Sequence, residues 1–495
     1  MNLFQRLEEI ATRQPERLAL QAQEGANYRH VTYIDLVGRA RAWASLLLRE
    51  GLAVGDRVGL VSENRPEWAM AYFAITAAGG VAVPLDVQLS EREIANVLSH
   101  AGCRFAVASG KQAPRLLAAG IQSLERLVDL DAEESSERIL AVKASGASAA
   151  ATGPLPPIGA DALASILYTS GTTGLPKGVA LSHGNFLANV DSVMQFRLLS
   201  AVDNVLALLP LHHAFPFMTQ LVVLCSGARL TFPASLRAPD LLACMRDTGV
   251  TVLAGVPQLF YMLRKGIFDE LDRQPALLRL IASVLLRLSG ALRRHRINVG
   301  RLVFAKVHQR FGGHIRLMVS GGARLDPAIA EDFLALGFVF SEGYGITECA
   351  PVVAFNPLDR FKPGTVGLPL PGVKIAIRTP DAEGVGEIAI QGGNVMQGYY
   401  QAPEATAEVM RDGWFLSGDL GYLDGEGYVT ITGRAKEVIV LSSGKNIYPE
   451  EVEQVYLQSP YIREICLVPK AEDRAGAEVE GLMALVLPDL EYFRA

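Results

Sequence analysis

The sequence predicts an α/β protein: a large N-terminal domain of βαβ-type subdomains with a small β-barrel-like region, then a small, incomplete α+β C-terminal domain. Three observations carry this. Short apolar runs alternate with amphipathic segments through the first quarter of the chain, the pattern of strands joined by crossover helices. From Pro363 the texture changes to short strands separated by glycine turns (VGLPLPGVKIAI, GEIAIQGG, GYVTITGR), which reads as an antiparallel region. After Gly433–Arg434 a new αβ pattern begins, so the boundary is placed between residues 1–433 and 434–495. A chain of 495 residues is long enough for several cores, and no repeat of solenoid period is present.

The elements follow in order. Thr32 is an N-cap for a helix whose Leu36, Ala40, Trp43 and Leu47 recur at helical spacing until Gly51. Arg57–Ser62 is a buried strand, Pro66–Ala78 a helix opened by proline, and Val81–Pro84 a short strand. Ser90 and Glu93 form a capping box for a helix to His100, and Arg104–Ala108 is the next strand. Asp131–Ala162, acidic and then rich in Ala, Gly, Ser and Pro, reads as an exposed connection. It leads into the strand Ala164–Tyr168, and a second α/β region has strands at Asn204–Leu208, Ala228–Phe232, Thr251–Ala254 and Ile315–Val319. Leu277–Arg301 carries Leu277, Leu280, Ile281, Val284, Leu288 and Leu292 on one face and a basic end. Burial of that stripe in the domain is preferred, because that is the commoner use of such a helix, and an anionic membrane surface is the alternative. The tail reads as strand Val438–Leu441, helix Pro449–Gln458, and strands Ile462–Val468 and Leu482–Val486.

Composition limits the function classes. Half the residues are hydrophobic and a fifth are charged, a globular balance, and the net charge of −6 gives no general attraction to nucleic acid. Five scattered cysteines without a CxxC fit a reducing cytoplasm rather than a disulfide framework or zinc site. No signal peptide or membrane-spanning stretch is read; peripheral contact with the inner face of a membrane and the oligomeric state stay open.

Chemistry concentrates in six stretches. In Leu167–Val179 (LYTSGTTGLPKGV), Thr169, Ser170, Gly171, Thr172, Thr173 and Gly174 let backbone and hydroxyl donors approach a polyphosphate, and Lys177 adds a mobile cation. It is not the ordinary P-loop, since Pro176 precedes the lysine and Gly178 follows it. Leu209–Phe217 (LPLHHAFPF) sets His212, His213 and Phe215 in an apolar context with no third metal ligand, so a pocket-lining or core role is the better reading. Ser320-Gly321-Gly322-Ala323 lets backbone approach a flat ligand. Tyr344-Gly345-Ile346-Thr347-Glu348 places a hydroxyl beside a carboxylate, a pairing that can hold a phosphate and its Mg²⁺. Asp419, after a glycine turn, can accept from ribose hydroxyls or form a plain Asx turn. GRAKE and SSGKN set cations around the domain joint.

Together, YTSGTTGLPKGV, YGITE, WFLSGD, GRAKE and SSGKNIYPEEVE closely resemble the signature of the ATP-dependent adenylate-forming superfamily: acyl-CoA synthetases, luciferases and peptide-synthetase adenylation domains. The resemblance covers nearly the whole chain and implies an acid–thiol ligase. By it, the Thr169–Lys177 loop holds ATP phosphates, Tyr344 with Gly345 stacks on adenine beside Gly322 and Ala323, and Thr347 contacts the α-phosphate. Glu348 holds Mg²⁺, Asp419 and Arg434 bind the ribose, and Lys436 is the hinge between two half-reactions. Gly444, Lys445 and Asn446 border the coenzyme A path, while His212, His213, Phe215 and Gly321 line the acid pocket. Leu277–Val307 looks like the long-chain branch, so a medium- to long-chain fatty acid is expected, with an aromatic acid second. A ligase that loads a carrier protein and a non-catalytic nucleotide-binding remnant are the other readings. One departure stands out. Related enzymes carry a catalytic lysine in a PxTxxGKI-like loop near the C-terminus, and the sequence in hand stops at LEYFRA without it. Truncation and slowed adenylation are therefore the expectation.

Overall fold

The computed structural model describes residues 1–25, 27–132, 139–141, 154–169, 176–437, 439–440, 446–447, 449–457, 459, 461–470 and 481–488. Two large sheets organise the chain up to about Pro369 and take in one later strand, Gly398–Tyr399. The eight-stranded sheet has the order Gly398–Tyr399, Lys177–Ser182, Leu163–Thr169, Val81–Pro84, Arg57–Val61, Phe105–Ala108, Arg126–Asp129, Ile139–Ala141. Its centre, from Leu163–Thr169 to Arg126–Asp129, is parallel, and antiparallel strands close both edges. In the nine-stranded sheet the parallel centre runs Phe340–Gly345, Leu317–Ser320, Val252–Gly255, Asn204–Leu206, Arg229–Phe232, Leu18–Glu24.

The expected elements form for the expected local reasons. Thr32 caps the helix Tyr33–Arg49 reciprocally with Asp35, and Ser90 caps Glu91–Ala101 with Glu93. Gly102, left-handed at φ 64°, ends that helix where a side chain would be strained. All twelve residues of Pro66–Ala77 are buried, as a helix apolar on every side requires, and its one charged residue, Glu67, is paired with Arg29 and Arg65. Its Trp68, Tyr72 and Phe73 share one core with residues of both large sheets.

The region from Val373 is an antiparallel sheet of five strands, Val373–Arg378, Gly386–Gly392, Trp414–Leu423 and Met410–Arg411, with Val429–Arg434 paired to Trp414–Leu423. Beyond it, the helix Pro449–Leu457 precedes an antiparallel pair, Ile462–Lys470 with Gly481–Pro488. That is the α+β pattern expected after residue 433.

The structure corrects the reading of the long helix. It forms, at Ala276–Arg294, but its leucine stripe faces outward: Leu277, Leu280, Ile281, Val284 and Leu288 are all exposed. Its inner side, with Leu285, Leu286 and Ser289, meets the domain, chiefly at the helix Pro327–Ala335. Most of the expected connection 131–162 lies outside the described residues, although Ile139–Ala141 is an edge strand. The first helix, Leu3–Arg13, and the hairpin of Leu18–Glu24 with Asn27–Thr32 complete the nine-stranded sheet from its far edge.

Candidate active site

The phosphate-loop stretch is flanked by two paired strands. Strands Leu163–Thr169 and Lys177–Ser182 pair antiparallel, with Thr169 opposite Lys177. Residues 170–175, and with them Ser170, Gly171, Thr172, Thr173 and Gly174, lie outside the described residues. Thr169 and Lys177 both line a cleft of about 890 Å³. The carboxyl ends of the nine-stranded sheet supply the opposite wall, where open α/β sheets place their ligands.

From that sheet come Gly321 and Gly322, after the strand Leu317–Ser320, and Tyr344, Gly345, Thr347 and Glu348, from the strand Phe340–Gly345 and the single turn after it. Gly345 is needed for close packing: an added Cβ would lie 2.4 Å from the Pro351 carbonyl oxygen. The antiparallel sheet adds Arg434 to the cleft, and the turn just past its last strand adds Lys436. Tyr344 donates a 2.5 Å hydrogen bond to Asp419, whose other oxygen lies 3.2 Å from the Arg434 Nε. Asp419 is buried behind these two and reaches no cleft surface itself; burial raises its carboxyl pKa, against the pull of Tyr344 and Arg434.

Glu348 is fixed from two directions. Its Oε1 accepts from the Tyr399 hydroxyl at 2.8 Å, and its backbone carbonyl accepts from the Met396 amide at 2.8 Å. Tyr399 was not singled out in the sequence. It arrives because Gly398–Tyr399 pairs with Lys177–Ser182 across more than two hundred residues of chain, and its ring lies 5.0 Å from the Lys177 Nζ. Glu342 was also missed. It is buried, is the register partner of Ser320 and has its pKa pushed up to about 8 by burial. A carboxylate just after the apolar run Phe338–Phe340 was the signal available.

Besides Asp419, two expected site residues do not reach the cleft. Ala323 sits exposed past the glycine turn, since Gly322 at φ 86° swings the chain outward. His213 and Phe215 line the cleft at the start of the helix Ala214–Cys225, but His212 turns toward Asp86, 3.6 Å from its Nε2. Burial lowers the His212 pKa to about 4, with His213 adding to the drop and Asp86 opposing it. The unfolded chain takes up this proton near pH 6.5, whereas the folded chain waits until about pH 4. Stability is therefore full above pH 6.5 and falls as the pH drops toward 4. His212→Gln is expected to flatten that part of a urea-midpoint profile, and an unchanged slope would assign it to other groups. Of the expected coenzyme A residues, Gly444 and Lys445 lie outside the described residues, and only the backbone strand Asn446–Ile447 is described for Asn446.

A model of the AMP-binding enzyme family matches residues 7–400. The chain belongs to this family. It is 30% identical over 485 residues to long-chain-fatty-acid–CoA ligase FadD15 of Mycobacterium bovis, covering 90% of this chain and 76% of that one. It is 31% identical over 494 residues to a feruloyl-CoA synthase of Amycolatopsis sp, covering 96% and 88%. Among solved structures, ATP-bound MatB from Rhodopseudomonas palustris is similar at 29% identity and TM-score 0.78, covering 99% of this chain and 89% of that one. The α/β class and the adenylate-forming resemblance are thereby borne out. No helix among the described residues is long and apolar enough to cross a membrane.

Proposed function

We propose that this AMP-binding enzyme is an acid–thiol ligase that activates a carboxylic acid with ATP and passes the acyl group to coenzyme A. The single observation that carries this is the convergence of Thr169, Lys177, Tyr344, Thr347, Glu348, Arg434 and Lys436 on one cleft. A carboxylate is a poor electrophile; attack on the α-phosphate of ATP releases pyrophosphate and leaves a mixed anhydride, from which a thiol then displaces AMP. The protein contributes position and charge neutralisation, as in other phosphoryl-group chemistry. Lys177 and Thr169 hold the phosphates, Thr347 the α-phosphate, Tyr344 the adenine face, and Arg434 the ribose, with Asp419 positioning Tyr344 and Arg434 from behind. Lys436 lies just past the last strand of the antiparallel sheet, where a hinge between half-reactions would move a small domain of residues 434–495.

The residues fit Mg²⁺ carried by the nucleotide. Among the described residues no three His, Cys, Asp or Glu gather into a metal cage. Mg²⁺ commonly takes one or two carboxylates plus phosphate oxygens, and Glu348 supplies such a carboxylate at the cleft wall. The ion would neutralise phosphate charge there, with Glu348 as its protein ligand.

For the acid we infer a medium- to long-chain fatty acid. The wall made by Leu209, Phe215, Val256, Val319 and Gly321 carries no charged side chain, and the FadD15 relative is named for long-chain fatty acids. An aromatic acid is the second reading, favoured by the feruloyl-CoA synthase relative. AMP formation across a panel of fatty and aromatic acids, with and without coenzyme A, tests both. AMP release that ignores coenzyme A but responds to a phosphopantetheinylated carrier protein would overturn the thiol assignment.

Gly321 gives a sharper check on the pocket. A Cβ at this position would stand 3.3 Å from the Phe215 ring, tighter than the ring can ignore. Gly321→Val is expected to raise KM for the acid about tenfold or more, the scale of 1–3 kcal/mol overpacking, with KM for ATP little changed. Equal rises in both constants would place the acid elsewhere.

A further inference from the structure

The helix Ala276–Arg294 leaves unpartnered the face that normally holds a helix in a domain. Leu277 is 68% exposed and Leu280 61% exposed, and Ile281, Val284 and Leu288 continue the same stripe at helical spacing. Past the helix, Ile297 and Leu302 are also exposed, Leu302 at 84%. Scattered exposed leucines are ordinary, but a continuous stripe on one helix marks an interaction surface.

The charge around it identifies the partner. From Arg273 through Leu325 the chain contains no Asp or Glu, although the whole protein carries a net charge of −6. Over the same span Arg273, Arg279, Arg287, Arg296 and Arg301 are exposed. The acids nearest in sequence are Asp269, Glu270 and Asp272 on the N-terminal side and Asp326 on the other. Glu270 is paired with Arg310, and Asp332, on the helix beneath, with Arg264. The inner side of the long helix is anchored by the Ser289 hydroxyl donating to the Ala335 carbonyl at 2.6 Å, so the outer side stays presented as a unit.

We propose that this face docks on an anionic phospholipid bilayer, with the helix lying in the plane of the interface, its leucine stripe among the acyl chains and its arginines on lipid phosphates. A large apolar stripe edged by arginines on a helix too polar to span is the composition of interfacial helices. A protein partner of ordinary composition would leave the arginines without matching charge, whereas an anionic headgroup layer satisfies both features at once. The inference goes beyond the ligase reading and does not depend on it.

The test is co-sedimentation of the full chain, without substrates, with vesicles of phosphatidylcholine alone or containing one-third phosphatidylglycerol. Binding is expected on the anionic vesicles and is expected to weaken as salt screens the arginines. Leu280→Asp with Leu288→Asp should abolish it, and Arg279→Glu with Arg287→Glu should cut binding to anionic vesicles about tenfold or more. All four side chains are exposed, so the thermal midpoints should match the parent chain and show that the variants fold. Absence of sedimentation with anionic vesicles, equal binding to both compositions, or binding that survives the leucine substitutions would each overturn the proposal. So would a concentration-dependent dimer that the leucine substitutions dissociate, because the occupant would then be a second copy.

Discussion

Glu348→Gln is expected to lower the rate of pyrophosphate release by about 10²–10³-fold, the loss typical of removing one group that stabilises transition-state charge. Glutamine keeps the shape and can still accept from the Tyr399 hydroxyl, which holds Glu348 at 2.8 Å, so the variant removes charge and little else. If the carboxylate holds Mg²⁺ on the ATP phosphates, the loss should shrink as Mg²⁺ is raised, and initial rates across a Mg²⁺ series measure this. Tyr399→Phe, which frees the carboxylate to rotate, is expected to cost less, about tenfold, as for groups that orient a metal ligand. A Glu348→Gln chain as fast as the parent would remove Glu348 from the metal site.

Trp68→Ala is expected to destabilise the fold by about 3–5 kcal/mol, the upper range for large-to-small core changes, read as a shift of the urea midpoint. Trp68 is 1% exposed, stacks on Tyr72 with ring centroids 5.9 Å apart, and meets the edge of Phe217 at the same separation. Phe217 also packs at 5.2 Å against Phe186, so one aromatic cluster ties together three helices. The cluster reaches the site from two sides. The Tyr72 hydroxyl bonds Ser165 at 2.9 Å, in the strand that leads into the phosphate hairpin, and Phe217 belongs to the helix whose start presents His213 and Phe215. Retention of the parent midpoint by Trp68→Ala would mean that the cluster does not brace the two sheets.

Much of the cleft was legible because its residues announce themselves locally. Thr169, Lys177, Tyr344, Thr347 and Glu348 sit in short runs of glycine, hydroxyl and charged residues where an ordinary strand or helix would carry apolar ones. The caps at Thr32 and Ser90 were legible for the same reason: each is an interaction over three residues. Tyr399 was not, since its value comes from pairing with Val179 and reaching Glu348 from a distant strand. Nor was the position of Asp419, which supports Tyr344 and Arg434 from behind rather than lining the cleft.

The long helix separates the two kinds of information most clearly. The spacing of Leu277, Ile281, Val284 and Leu288 is a property of the helix alone, so the sequence by itself determined that an amphipathic helix forms and which residues share a face. Which way that face points depends on what the rest of the molecule has left to pack against, and periodicity is silent on that. The same holds throughout the protein: alternation of strands and helices determined the α/β class and the loops that carry chemistry. Register between distant strands decided that Tyr399, Lys177 and Glu348 meet. Contacts within a few residues are encoded where they occur, whereas contacts across hundreds exist only once the sheets have closed.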